Sequence, residues 1–108
     1  RYHQGVSNGL WLVYHITGEY KQKGHFVMGK MDGKWEFYYP DGSIKLKGAY
    51  VNDISQGNWA SFYPNGQVKM NLNYVDGMLD GIITYYSEEG KILERAEYVK
   101  NQLIRRIQ

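Results

Sequence analysis

The 108-residue chain has no cysteine. Disulfides and thiolate metal sites are thereby excluded, and the redox compartment stays open. It has two prolines, and only three phenylalanines against eleven tyrosines. No apolar run approaches the length of a membrane-spanning helix. No glycine-free window is long enough for a major helix. Neither sign of charge dominates: 13 basic and 11 acidic residues leave +2, which imposes no nucleic-acid or membrane partner. The chain opens on Arg1 rather than Met. An upstream segment is therefore expected, and cytoplasmic and exported locations both stay open.

What is present is tyrosine, glycine and a period. Internal repeats are sought first because they decide the architecture. Gly9, Gly33, Gly57 and Gly81 stand 24 residues apart. In the same steps run Trp11, Trp35, Trp59 and Ile83, then Tyr14, Tyr38, Phe62 and Tyr86. The turn column is Gly18, Gly42, Gly66 and Gly90. A small-residue column holds Gly24, Gly48, Leu72 and Ala96, and Val27, Val51, Val75 and Val99 close each unit.

Each unit reads as two strands, near 34–39 and 43–50 in the second copy, both rich in aromatic and β-branched residues. Between them lies Pro40-Asp41-Gly42, or Pro64-Asn65-Gly66. Proline presets φ, Asp or Asn tolerates the next position, and Gly takes the left-handed one. That predicts a three-residue hairpin loop, a type I turn followed by a glycine bulge. The same loop is expected at Ile16-Thr17-Gly18 and Glu88-Glu89-Gly90. The second connection, residues 51–57, reads as a longer polar loop ending at Gly57. The chain is then a continuous antiparallel meander.

Parity assigns the faces. Ile44, Leu46, Gly48 and Tyr50 share one side of the second strand, and Lys45, Lys47 and Ala49 the other. Pairing Tyr63 with Gln67 sets Phe62 opposite Val68 and Ala60 opposite Met70. This assigns the Tyr14, Tyr38, Phe62 and Tyr86 column to the apolar face. Simple alternation points the tryptophans the other way. A bulge near the strand start that turns them inward is favoured over their covering the lysine face.

The fold class expected is all-β: tandem 24-residue β-hairpin repeats forming one elongated, twisted antiparallel meander sheet. The single domain, 1–108, divides at about 9–32, 33–56, 57–80 and 81–104, with a partial repeat at 1–8 and a C-terminal cap at 99–108. About eight strands would make a sheet roughly 35–40 Å long and about 20 Å wide.

The unit Gly-x-Trp-x-x-Tyr-Tyr-x-(Asp/Asn)-Gly, with a second strand ending in Tyr, resembles the MORN repeat. Gly33, Trp35, Tyr38, Tyr39, Asp41, Gly42, Tyr50 and Gly57 carry the likeness. It is closest to the bacterial variant of YwqK-family antitoxins of toxin–antitoxin systems. The resemblance implies hairpins joined in one sheet, a scaffold role, a link to membranes in some members, and an antitoxin role in the bacterial branch. Ile83 departs from the Trp position, and Leu72 and Ala96 from the Gly position.

Convergent catalytic groups are not found in the pattern. His3, His15 and His25 occupy different phases, and only His3 and His25 fall near one another. They read as exposed strand residues rather than a metal site. Ser7, Ser43, Ser55, Ser61 and Ser87 read as turn or exposed strand positions. Asp32, Asp80, Glu88 and Glu89 read as capping and turn residues, since a flat meander offers no cleft for paired carboxylates. No glycine pattern opens a helix to cradle phosphate. No catalytic residue, cofactor or metal is assigned.

Two sets of residues remain as candidate contacts. Lys21, Lys23, Lys45, Lys47 and Lys69 share the wet face by parity. They form a basic ladder suited to anionic lipid or an acidic partner, or serve as a solvated face. Trp11, Trp35, Trp59, Tyr39 and Tyr63 are the aromatic anchors expected wherever that surface is open. The reading is a non-catalytic interaction module whose partner is another protein. Antitoxin or immunity action and anionic-lipid binding are alternatives. No specific nucleic acid is expected.

Overall fold

A computed structural model describes the backbone of residues 2–3, 6–7 and 9–107 and the side chains of 9–107. Its strands are β1 (Tyr2–His3), β2 (Val6–Ser7), β3 (Gly9–Tyr14), β4 (Tyr20–Val27), β5 (Lys30–Tyr38) and β6 (Ile44–Val51). They continue as β7 (Ile54–Phe62), β8 (Val68–Val75), β9 (Met78–Leu79), β10 (Gly81–Tyr86), β11 (Ile92–Val99) and β12 (Gln102–Arg106). There is no helix among the described residues. Strands β3 to β12 form one open antiparallel sheet in chain order, with β9 pairing β8. The molecule measures 49 × 32 × 14 Å. It is larger than expected because nine strands lie side by side along the sheet, and because β5 and β7 run to nine residues. β1 and β2 pair with each other, Tyr2 with Ser7 and His3 with Val6, the same register as Phe26 with Met31 and Val27 with Lys30 one unit on.

Two turn types alternate. The Pro-Asp-Gly turn is as expected: Gly42 N donates to Tyr39 O, Tyr39 N donates to Ser43 O, and Gly42 has φ +93°. Gly18, Gly66 and Gly90 repeat the first bond to His15 O, Tyr63 O and Ser87 O. The second connection is not a long loop. Asn52 and Asp53 both have positive φ, 50° and 71°, the signature of a two-residue type I′ hairpin. Val51 pairs with Ile54, Tyr50 with Ser55 and Ala49 with Gln56, so residues 54–57 are strand. Gly57 lies inside β7 with φ +77° and ends no loop. The turns also dock on one another. Met31 N donates to Asp53 Oδ1 at 2.6 Å, and Asp53 N donates to Met31 O at 2.9 Å.

Within a unit the register is regular up to the turn. Trp35 opposes Gly48 and Phe37 opposes Leu46, so these share the apolar face. One step later Tyr38 opposes Ile44, which leaves Lys45 as the extra residue of a bulge. The next unit repeats this: Phe62 opposes Val68, but Ser61, not Ala60, opposes Met70. The bulge carries Tyr38 to the other side, where its hydroxyl donates to Glu36 Oε1 at 2.6 Å. The Lys47 ammonium sits 5.6 Å from the Phe62 ring centre. The Tyr38 and Phe62 column therefore belongs to the lysine face, which corrects its assignment to the apolar one. The tryptophans do lie on the apolar face, as favoured. The register shift that sets this is at the turn end of the hairpin.

Between units the ladder opens. Lys47 opposes Ala60 and Ala49 opposes Gln56, so Gly57, Asn58 and Trp59 stand against Gly48 alone. Gly24 likewise faces Gly33, Lys34 and Trp35. The indole closes each opening from the apolar face. A Cβ at Gly48 would come within 1.9 Å of Trp59 Cδ2, and one at Gly24 within 2.1 Å of Trp35 Cδ2. In the fourth unit the register recurs as Asn71 opposite Thr84, with Leu72 in place of the glycine and Ile83 in place of the indole. The departures at Leu72 and Ile83 thus fall at the same joint between units. Around the indoles runs an edge-to-face ladder: Phe26–Trp35 at 5.3 Å, Trp35–Tyr50 at 6.1 Å, Tyr50–Trp59 at 5.1 Å and Trp59–Tyr74 at 6.0 Å. At the outer edge, β12 carries Arg105 and Arg106 paired with Glu97 and Glu94, a charged edge of the kind that resists further strand pairing.

Candidate interaction surface

The aromatic candidates are mostly engaged in the fold. Trp35 is 1% and Trp59 5% exposed, so neither presents a surface. Trp11 is half-buried, and its Nε1 donates to Gln22 Oε1 at 3.1 Å. Trp35 Nε1 donates to His25 O at 3.2 Å. Tyr39 and Tyr63 are half-buried hinges between units. Their hydroxyls donate to Phe62 O at 2.6 Å and Tyr86 O at 2.7 Å, each 23 residues ahead. His15 fills the same place in the first unit, with Nε2 2.8 Å from Tyr38 O. A carbonyl only accepts, so Nε2 carries the proton. The 24-residue spacing of His15, Tyr39 and Tyr63 was the signal for this shared role.

The lysines stay outside, but four of them rest on rings. Lys23 lies 5.1 Å from the Tyr20 ring centre, Lys45 5.9 Å from Tyr39, Lys47 5.6 Å from Phe62 and Lys69 5.8 Å from Tyr63. Lys23 also pairs with Glu36 at 3.8 Å. Lys21 is exposed. Burial in this aromatic setting, reinforced by the Glu36 hydrogen bond and charge, pushes the Tyr38 hydroxyl up to about 12. Burial first, then neighbouring Tyr74 and Asp53, raises Tyr50. Hydrogen bonds from Ser43 hold Asp41 below the usual carboxylate range.

The openings in the ladder, closed on one side by indoles, are troughs on the other. One, of about 630 Å³, lies over Gly48 and is lined by Lys34, Glu36, Lys47, Asn58, Ala60 and Asn71. The second, of about 440 Å³, lies over Gly24 among Leu10, Leu12, Tyr20, Lys23 and His25. Sequence reasoning did not single out Lys34, Asn58, Ala60 or Asn71. Their columns change from unit to unit: Leu10, Lys34, Asn58 and Ile82 in one, Leu12, Glu36, Ala60 and Thr84 in the next. The tryptophan column beneath them changes once, to Ile83.

Ser43, Ser87 and Asp41 serve turns, but Ser61, read as a turn or exposed strand position, lies within β7 with its Oγ buried on the apolar face. Asp41 Oδ1 accepts from Ser43 N and Ser43 Oγ, and Ser87 Oγ accepts from Glu89 N and Lys91 N. Among the described residues no group of three or more His, Cys, Asp or Glu side chains is placed to hold a metal. The side chains of His3 and Ser7 lie outside the described residues.

An open, single-layer sheet of 24-residue hairpins defines an all-β repeat protein. The chain belongs to the MORN repeat variant family, whose model matches residues 31–52, 55–76 and 79–100. The matched units advance in the same 24-residue step as the columns. The family is a non-catalytic repeat family, and MORN repeats in general mediate interactions with proteins or membranes. A search among curated proteins finds no match to the chain.

Proposed function

We propose that this protein is a non-catalytic interaction module whose protein partner lies along the lysine face. One observation carries the reading: open troughs on the lysine face are lined by columns that differ from unit to unit, Lys34 and Asn58 in one and Glu36 and Ala60 in the next. Repeat proteins bind along extended surfaces. Half-buried Tyr38 and Phe62 at the trough rim are suited to anchoring a partner. Tyr39 and Tyr63 join successive units through Phe62 O and Tyr86 O, and Trp35 and Trp59 act through the fold. The family's non-catalytic character supports leaving out an enzymatic role. A photo-crosslinking amino acid at position 58, in cells of the source organism, is expected to yield a discrete adduct that the same group at position 51 does not. No adduct at 58, or equal adducts at both, would count against the reading.

Antitoxin or immunity action is a special case with a toxic partner. Co-expression with a neighbouring toxic gene product tests it, and failure to restore growth dismisses it. Anionic-lipid binding is favoured by one specific feature. Lys21, Lys45 and Lys69 are exposed at equivalent places in successive hairpins, about 10 Å apart. Vesicle flotation unchanged by Lys45→Glu with Lys47→Glu removes it.

A further inference from the structure

The two troughs share Lys34 and Glu36 and make one channel across the sheet. It runs from Leu10 on β3 to Asn71 on β8. Six strands at about 4.8 Å spacing give about 24 Å, and an extended chain rising about 3.3 Å per residue covers that with about seven residues.

The chemistry changes along the channel. One end is apolar and open: Leu10 is 53% and Tyr20 38% exposed. In the middle, Glu36 is taken by Lys23. Among the described residues, no carboxylate lies within ion-pair distance of Lys34 or Lys47. The far end offers the amides of Asn58 and Asn71 over the small side chain of Ala60.

We propose that this channel takes an extended acidic segment of the partner protein. The segment is about seven residues long, with an apolar residue at the Leu10 end and carboxylates against Lys34 and Lys47. The proposal rests on the interaction reading above. The lysines belong to the lining of a recess, so a strand with projecting carboxylates meets them, while a flat bilayer meets the rim.

The test uses the whole chain and a fluorescein-labelled decapeptide, with two apolar residues followed by alternating Asp and Ala, read by anisotropy at low and physiological salt. Binding is expected to weaken with salt. It is expected to fall about tenfold when Asn replaces Asp, and about tenfold in Lys34→Glu with Lys47→Glu. That variant is expected to prefer the same peptide with Lys in place of Asp, which shows that it is folded. Lys30→Glu, outside the channel, is expected to bind as the parent does. Equal binding of the Asp and Asn peptides, indifference to the double substitution, or binding only to phosphatidylserine vesicles each overturns the proposal. If the adduct at position 58 forms while the acidic peptide fails, only this inference falls. If both fail, the interaction reading falls with it.

Discussion

An indole is buried on a single-layer sheet only where something is removed to admit it, and at Gly24 and Gly48 that is a Cβ. Gly48→Ala would drive a methyl into Trp59, with 1.9 Å available. The expected cost is about 1–3 kcal/mol, measured as a lower urea midpoint. The glycine column was visible in the sequence as a spacing, but its reason was not, because the contact joins strands of different units. Tyr38 was misplaced for a related reason: a single bulged Lys45 reverses the side on which it emerges. Its raised pKa gives a pH signature. The fold favours the neutral phenol, so this contribution is complete below pH 10 and is lost as pH rises through about 12. Tyr38→Phe is expected to lose less stability than the parent between those values in urea titrations. Equal losses would show that Tyr38 titrates normally.

Among the elements, the three-residue turns ending in Gly18, Gly42, Gly66 and Gly90 were legible and the type I′ turns were not, although Met28-Gly29 and Asp76-Gly77 also carry glycine. Pro-Asp-Gly announces its geometry, whereas Asn52-Asp53 is hidden in a polar run that also holds strand residues Ile54, Ser55 and Gln56. The homologous turn at Met28 places a methionine at φ +53°. Left-handed backbone is costly for such a residue and cheaper for asparagine. Met28→Asn is expected to raise stability by about 0.5–1 kcal/mol in thermal or urea unfolding. The joint between units obeys a size rule, glycine with indole or leucine with isoleucine. Gly48→Leu and Trp59→Ile are each expected to destabilise, and the pair to recover at least about 1 kcal/mol in a double-mutant cycle. Additive losses would show that the Leu72 and Ile83 exchange is not compensatory.

For the whole molecule, units that lean only on neighbours can be removed, provided the new joint matches. Deleting residues 33–56 sets Gly24 against Trp59, a matched joint. Deleting 57–80 sets Gly48 against Ile83 and leaves a void. The first deletion is expected to melt higher than the second, although each removes 24 residues. The repeat and the all-β meander could be read from the sequence because they depend on spacing. The surface could not, since trough positions such as Asn58 and Ala60 are defined by what they lack, a recurring identity. Ala60 and Ser61 are adjacent but stand on opposite faces, opposing Asn71 and Met70. Measuring the melting midpoint and the position-58 crosslink of Ala60→Arg beside Ser61→Arg tests the division between the faces. The account predicts that Ala60→Arg melts within about 4 °C of the parent, a change of under about 1 kcal/mol, yet loses the adduct, while Ser61→Arg unfolds. An Ala60→Arg protein that keeps its partner, or a Ser61→Arg protein that stays folded, would contradict it.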